Sequence, residues 1–255
     1  MPVSLLCRLC AIGFSAAILV AGFGSVAAAA DLPQVGYVAT RFPPYTLVQD
    51  GRAAGPTADL IAALAERVGR PAPLAILPLA RALAEAENEP NTLIALIART
   101  AARENQFHWV CPVLNYDVMV FRRHDRPDVT AASLADLARW RIAGVHLDVK
   151  TEYLLRNGIP VVETADEDAA ARQLLHGRVD AMPAHPASLR LRLRELGERS
   201  DAAIAFLPLP DLTSRLYLAF GKATGPSVVA AFAAACEAMQ AGGEIDRLMR
   251  PVETN

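Results

Sequence analysis

From position 32 onward the chain alternates between two hydrophobic rhythms. Short apolar runs, QVGYVA at 34–39 and NTLIALIA at 91–98 among them, have the length and bounding residues of buried strands. Between them lie longer stretches whose apolar residues return every three or four positions, the period of a helix with one buried face. The first, PTADLIAALAERVG at 56–69, puts Leu60, Ile61, Leu64 and Val68 on one face, with Thr57 placed to cap it and Gly69 to end it. A second helix is predicted over 79–90, stopped by Pro90.

The same alternation restarts near 140. Strands are predicted at 141–147, 160–164, 178–184, 203–209 and 214–222. Helices are predicted at 148–158, opened by Asp148 and closed by Gly158, and at 164–177, 185–197, 226–243 and 244–250. Ser133 with Asp136, and Thr164 with Glu167, have the spacing of capping boxes. Strand–helix alternation of this kind predicts an α/β fold with largely parallel sheets. Two segments break the pattern. WVCPVLNYDVMVFRRHD (109–125) and LPLPDLTSRLYLAF (207–220) are long, extended and without a helical period. They read as two crossings between two α/β lobes, 31–117 and 118–222, with 223–255 returning to the first, and a ligand cleft is expected between the lobes.

The first thirty residues change the picture of where this fold works. They contain no acid, carry Arg8 ahead of an apolar run at 11–26, and end in Ala28-Ala29-Ala30. That is the order of a cleaved secretory signal, with Asp31 as the expected mature N-terminus. Cys7 is not set in a lipid-attachment context, and no later run is long enough to span a bilayer. The expected product is a soluble exported protein, and no kinase or hydrolase domain is expected after the closing helix. Cys111 and Cys236 remain after cleavage, and they read either as a disulfide or as two buried thiols. A net charge of −2 over 255 residues gives no basic face for nucleic acid. Lysine is nearly absent, with only Lys150 and Lys222.

No phosphate loop, GxSxG, HExxH or paired-cysteine spacing occurs, and the five histidines are scattered, so no cofactor, metal or catalytic set is expected. The stretch LIARTAARENQFHWV (96–110) is more informative. It leaves a buried strand and turns to Arg99, Thr100, Arg103 and Glu104. If Thr100 caps a short helix here, its free N–H groups and the Arg103 guanidinium form a carboxylate receptor. The plainer alternative is that both arginines pair with Glu104 on a solvated face.

Four blocks, in order, resemble the family 3 bacterial extracellular solute-binding proteins, the periplasmic receptors of polar amino acid ABC transporters. They are RFPPYTLVQDGRAAGPTADLIAALAERVG, then LARALAEAENEPNTLIALIARTAARENQFHWVCPV with its Thr-x-x-Arg element, then RIAGVHLDVKTEYLLRNGI, and LLHGRVDAM. The resemblance implies a type II periplasmic-binding-protein-like fold whose lobes close on a hinge of two crossover strands. It implies a small-molecule solute and a permease as partners, contact with the membrane only through that permease, and a monomer. It gives Arg103 the ligand carboxylate with Thr100 beside it, and Tyr45 or Phe42 a stacking contact. It gives Asp148, at its helix start, a second-lobe contact, and Arg81 a place facing the cleft. Two departures stand out. His185 occupies the place where the family usually sets an acid for the ligand ammonium, and Leu96 and Ala98 replace small hydroxyl residues. Two other functions share the scaffold: a dehydratase-like enzyme, for which Glu163, Asp180 and His185 are the candidates, and a stand-alone sensory protein.

Overall fold

The computed structural model of the chain describes Met1 and residues 32–251, so the expected signal segment and its cleavage point lie outside the described residues. Strand β1 (Gly36–Ala39) is followed by a hairpin, β2 (Leu47–Gln49) and β3 (Arg52–Ala54). The hairpin was not anticipated, although Asp50-Gly51 carries its signal. Both residues hold positive φ, 51° and 73°, as a tight two-residue turn requires. Helix α1 (Pro56–Val68) opens with Pro56 in its first turn and Gly55 at its N-cap, where the sequence suggested Thr57. Thr57 is instead buried inside the helix, sharing a 2.9 Å hydrogen bond with the Thr46 hydroxyl. Gly69 ends α1 at φ 71°, a left-handed conformation that suits a residue without Cβ.

β4 (Leu74–Ile76), α2 (Leu79–Asn88) and β5 (Thr92–Ala98) follow, and every residue of β5 is buried. β6 (Phe107–Tyr116) and β7 (Met119–Arg123) divide the first extended segment between two sheets. The Ser133–Asp136 capping box is present, but it starts a short 3-10 helix, Leu134–Arg139. Next come β8 (Ile142–Val145), α3 (Val149–Arg156), β9 (Val161–Thr164), α4 (Glu167–Leu175), β10 (Ala181–Ala184) and α5 (Pro186–Glu195). The cap of α4 is Asp166, whose carboxylate accepts from Ala169 N–H. Thr164 stays in β9 and donates its hydroxyl to the Gly144 carbonyl. The chain closes with β11 (Ala203–Pro208), β12 (Ser214–Gly221), α6 (Pro226–Ala241) and α7 (Glu244–Leu248).

The first sheet has the order β4-β1-β5-β12-β6 and the second β11-β7-β10-β8-β9. Each is mixed. β1 runs parallel to β4 and β5, and β8 to β9 and β10, while β12, β6, β7 and β11 make antiparallel pairs. β12 falls in the range expected for the second lobe, yet it is a strand of the first sheet. The chain passes between sheets twice, from β6 to β7 and from β11 to β12, the two crossings the sequence suggested.

The first sheet buries Leu93, Phe220 and Tyr37 against Leu60, Leu64 and Phe232. Its other face packs Val38, Ile94 and Phe107 on Ala82, Leu83 and Ala86 of α2. The second sheet has its own core around Phe121, Met182, Leu174 and Leu189. Cys111 of β6 and Cys236 of α6 form a disulfide with Cα atoms 6.4 Å apart, fastening α6 to the edge of the first sheet. Among the described residues, no helix is long and apolar enough to cross a membrane.

Candidate ligand-binding site

The carboxyl ends of the parallel strands converge, which is where open α/β sheets hold ligands. The segments leaving β1, β4 and β5 face those leaving β8 and β9 across a cavity of about 250 Å³. The first sheet contributes Phe42, Ile76, Leu79, Leu96 and Leu216 to its wall. The second contributes the starts of two helices, Asp148–Lys150 and Ala165–Asp168.

Arg103 lines this cavity and is only 5 % exposed. Residues 101–106 form successive turns where a short capped helix was expected, so no helix N-terminus stands here. Thr100 still serves the turn, accepting from Arg103 N–H at its carbonyl (3.0 Å) and less closely at Oγ1 (3.3 Å). The Arg103 guanidinium reaches across the cleft, donating from Nη2 to the Leu147 carbonyl at 2.7 Å, with Glu152 3.7 Å away. A longer contact of 3.5 Å joins Nη1 to the Ala98 carbonyl. The remaining N–H groups of the fork are available to an acceptor in the cavity. Arg99 behaves differently. It pairs with Glu104 through two hydrogen bonds (2.8 and 2.5 Å) and lies over the Trp109 and Tyr217 rings. Arg99 therefore takes the exposed pairing with Glu104 that the plainer reading gave to both arginines, while Arg103 is buried at the cavity instead.

Two leucines at the rim hold left-handed backbone, Leu96 at φ 59° and Leu147 at φ 58°. Each costs ~1–2 kcal/mol for a residue with a Cβ. Leu96 falls within a register shift between β5 and β12, and Leu147 supplies the carbonyl that receives Arg103.

Asp148 caps α3, accepting from Lys150 N–H at 2.8 Å, and lines the cavity. Phe42 lines it too. Tyr45 and His185 stand behind Phe42, with ring centroids 5.5 Å from it, and Tyr116 stacks on His185 at 5.8 Å. His185 caps α5 by accepting from Ser188 N–H. Burial pushes its pKa below the usual value, against the pull of Glu167 and Asp117, so the ring is held neutral. Arg81 lies on the outer face of α2, whose buried stripe is Ala82, Leu83 and Ala86. Its side chain is 71 % exposed beside Glu85. Of the residues proposed from sequence, Phe42, Arg103 and Asp148 meet at the cavity, while Thr100, Tyr45, Arg81 and His185 lie outside its lining.

The strongest feature was not anticipated. Lys150 is 3 % exposed, and its ammonium sits 2.8 Å from Asp148 Oδ2, 2.9 Å from Glu167 Oε1 and 3.0 Å from Tyr116 Oη. Arg192, 2 % exposed, lies 3.2 Å from Glu167 Oε2, ion-pairs with Asp168 and donates to the Arg41 carbonyl at 2.9 Å. Arg41, from the first sheet, grips both oxygens of Asp168 (2.8 and 3.0 Å) and pairs with Glu195. Burial alone would raise the Glu167 carboxyl, but Lys150 and Arg192 outweigh it and bring it down to about 2. Burial likewise opposes the Lys150 charge, and Asp148, Tyr116 and Glu167 overcome it, holding the ammonium well above its ordinary pKa. One signal did exist in the sequence: Lys150 is one of two lysines in a chain that otherwise uses arginine.

The three residues considered for catalysis are not gathered. Glu163 pairs with His146 at 2.6 Å on the exposed rim of β9, and Asp180 pairs with Arg141 at 2.9 Å. Neither they nor His185 line the cavity. Among the described residues, no group of three or more His, Cys, Asp or Glu is placed to hold a metal ion.

The model of the bacterial extracellular solute-binding proteins, family 3, matches residues 34–251. The chain belongs to that family. Its fold is shared with a histidine kinase sensor domain similar to periplasmic binding proteins, at TM-score 0.74 and 20 % identity over 84 % of this chain and 93 % of the other. It is shared with an ancestral arginine-binding protein bound to arginine, at TM-score 0.71 and 18 % identity over 85 % and 96 %. An amino acid ABC transporter substrate-binding protein from Streptococcus pneumoniae bound to L-arginine gives TM-score 0.69 and 19 % identity over 84 % and 92 %. No curated protein matches the chain in sequence.

Proposed function

We propose that this protein is a periplasmic receptor that captures a small carboxylate-bearing solute and delivers it to an ABC transporter permease. The observation that carries the reading is Arg103: buried at 5 % exposure, on the cavity wall, with donors left over after its contacts to Leu147 and Ala98. A planar guanidinium held this way matches a carboxylate. Val149 and Lys150 at the start of α3 add the positive end of a helix dipole to the same cavity.

Binding is coupled to closure. Arg103 to Leu147 and Arg41 to Asp168 and Glu195 both bridge the two halves, so a solute held by Arg103 on one side and the α3 start on the other favours the closed form. The expected secretory signal ending at Ala30 supports a periplasmic location for this receptor. No reaction is assigned: among the described cavity-lining residues, Asp148, Glu167 and Asp168 each face a cation and Asp166 caps its own helix.

A second reading is a sensory ligand-binding protein, favoured by the fold shared with the histidine kinase sensor domain. Both readings require binding without turnover. Incubation with a solute that raises the melting temperature, followed by NMR of the recovered small molecule, tests this. The receptor reading expects the solute back unchanged, and a converted product sinks it in favour of the enzyme. Co-purification with a permease then separates transport from sensing.

A further inference from the structure

We propose that the solute is a carboxylate with an apolar body whose α-substituent is neutral, a hydroxyl or hydrogen in place of an ammonium. The inference rests on the carboxylate reading above and narrows it.

A ligand ammonium needs an acid whose charge is not already answered. Among the described cavity-lining residues, three of the four acids cannot offer that, because each already faces a cation. Asp148 faces the Lys150 ammonium at 2.8 Å. Asp168 is held by Arg41 and Arg192. Glu167 lies between two cations, Lys150 at 2.9 Å and Arg192 at 3.2 Å. The fourth, Asp166, is an exposed helix cap that spends one oxygen on its own helix, accepting from Ala169 N–H at 2.7 Å. The Lys150 ammonium has three N–H donors and three partners, Asp148, Glu167 and Tyr116, so it is saturated. In effect the chain supplies its own ammonium. A second one brought by the solute would have to compete with Lys150 and Arg192 for the same carboxylates.

Glu167 nevertheless keeps one unmet need. Its Oε2 is buried and accepts no aligned hydrogen bond, although Arg192 is close. A buried acceptor in that position is satisfied by a neutral O–H without any added charge. At the other end Arg103 has spare donors for the carboxylate, and Phe42, Ile76, Leu79, Leu96 and Leu216 provide the apolar wall.

The test is calorimetric titration of the unmodified protein with matched pairs: L-leucine against (S)-2-hydroxy-4-methylpentanoate and 4-methylpentanoate, and L-phenylalanine against 3-phenyllactate. The expected result is that an amine-free member binds at least about tenfold more tightly than its amino acid. An amino acid that binds as well as, or better than, its amine-free partner overturns the inference while leaving the carboxylate receptor standing, since both members carry the carboxylate. Absence of binding by every member of both pairs overturns the inference and the carboxylate reading together.

Discussion

Replacing Lys150 by Met keeps the length of the side chain and deletes its charge. In the native protein the ammonium answers Asp148 at 2.8 Å and Glu167 at 2.9 Å, in a site only 3 % exposed. An exposed pair would be worth under about 1 kcal/mol. Here the variant strands Asp148 and leaves Glu167 with Arg192 alone, and removing one partner of a buried ion pair typically costs about 3–5 kcal/mol. For a domain of this size ~1 kcal/mol moves the melting temperature by ~2–4 °C, so a fall of roughly 6–20 °C is expected at neutral pH. The pH dependence sharpens the test. In the native protein the Glu167 carboxyl is lowered to about 2, so its contribution is present above its unfolded value near 4.5 and is lost as the pH falls toward 2. Without Lys150, Glu167 keeps only Arg192 against burial, so its carboxyl rises from that low value and acidification costs the variant less than the native protein. The gap between native and variant should therefore hold from pH 7 to about 4.5 and narrow as the pH falls from there toward 2. Thermal and urea melts followed by circular dichroism measure it. A loss below about 1 kcal/mol, or a gap that widens on acidification, would refute the assignment of Lys150 as the neutralising cation.

Reducing the Cys111–Cys236 disulfide, or replacing both residues by Ala, should cost about 2–5 kcal/mol in chemical denaturation, because the bridge closes a loop of 125 residues. Arg81→Ala should change stability by less than about 0.5 kcal/mol and leave solute affinity unaltered, since its side chain is 71 % exposed and outside the cavity. His185 is held neutral by burial and must charge on unfolding, so native stability should decline as the pH falls below about 6.5. His185→Phe should flatten that slope in urea titrations run between pH 7.5 and 5.5.

The fold was legible because its signals are redundant. β5 is apolar throughout and buried throughout, and α1 shows its buried stripe as a 3.6-residue period. The errors sit where local chemistry is ambiguous. Thr57 and Thr164 were read as caps because threonine often caps helices, but each found a buried partner, Thr46 and the Gly144 carbonyl. Lobe assignment of β12 failed because an apolar strand carries no mark of which sheet it joins. At the site, Arg103 and Asp148 were visible from a short motif and a helix start. Glu167, Arg192 and Arg41 were not, because their meaning depends on residues 127 and 151 positions apart coming together, as Arg41 does with Asp168 and Arg192 with the Arg41 carbonyl. Both separations are well beyond any local pattern. Lys150 alone left a trace, as a rare lysine in an arginine-using sequence.

The central claim is that Arg103 holds a carboxylate inside the cleft. The most direct measurement is the affinity of a binding carboxylate for the native protein and for Arg103→Ala, by calorimetry at constant salt. Two hydrogen bonds to a charged group are worth roughly 3–6 kcal/mol together. The account predicts a loss of at least ~100-fold in the variant, with its fold intact by circular dichroism. A folded variant that binds the same carboxylate within about threefold of the native protein would contradict it.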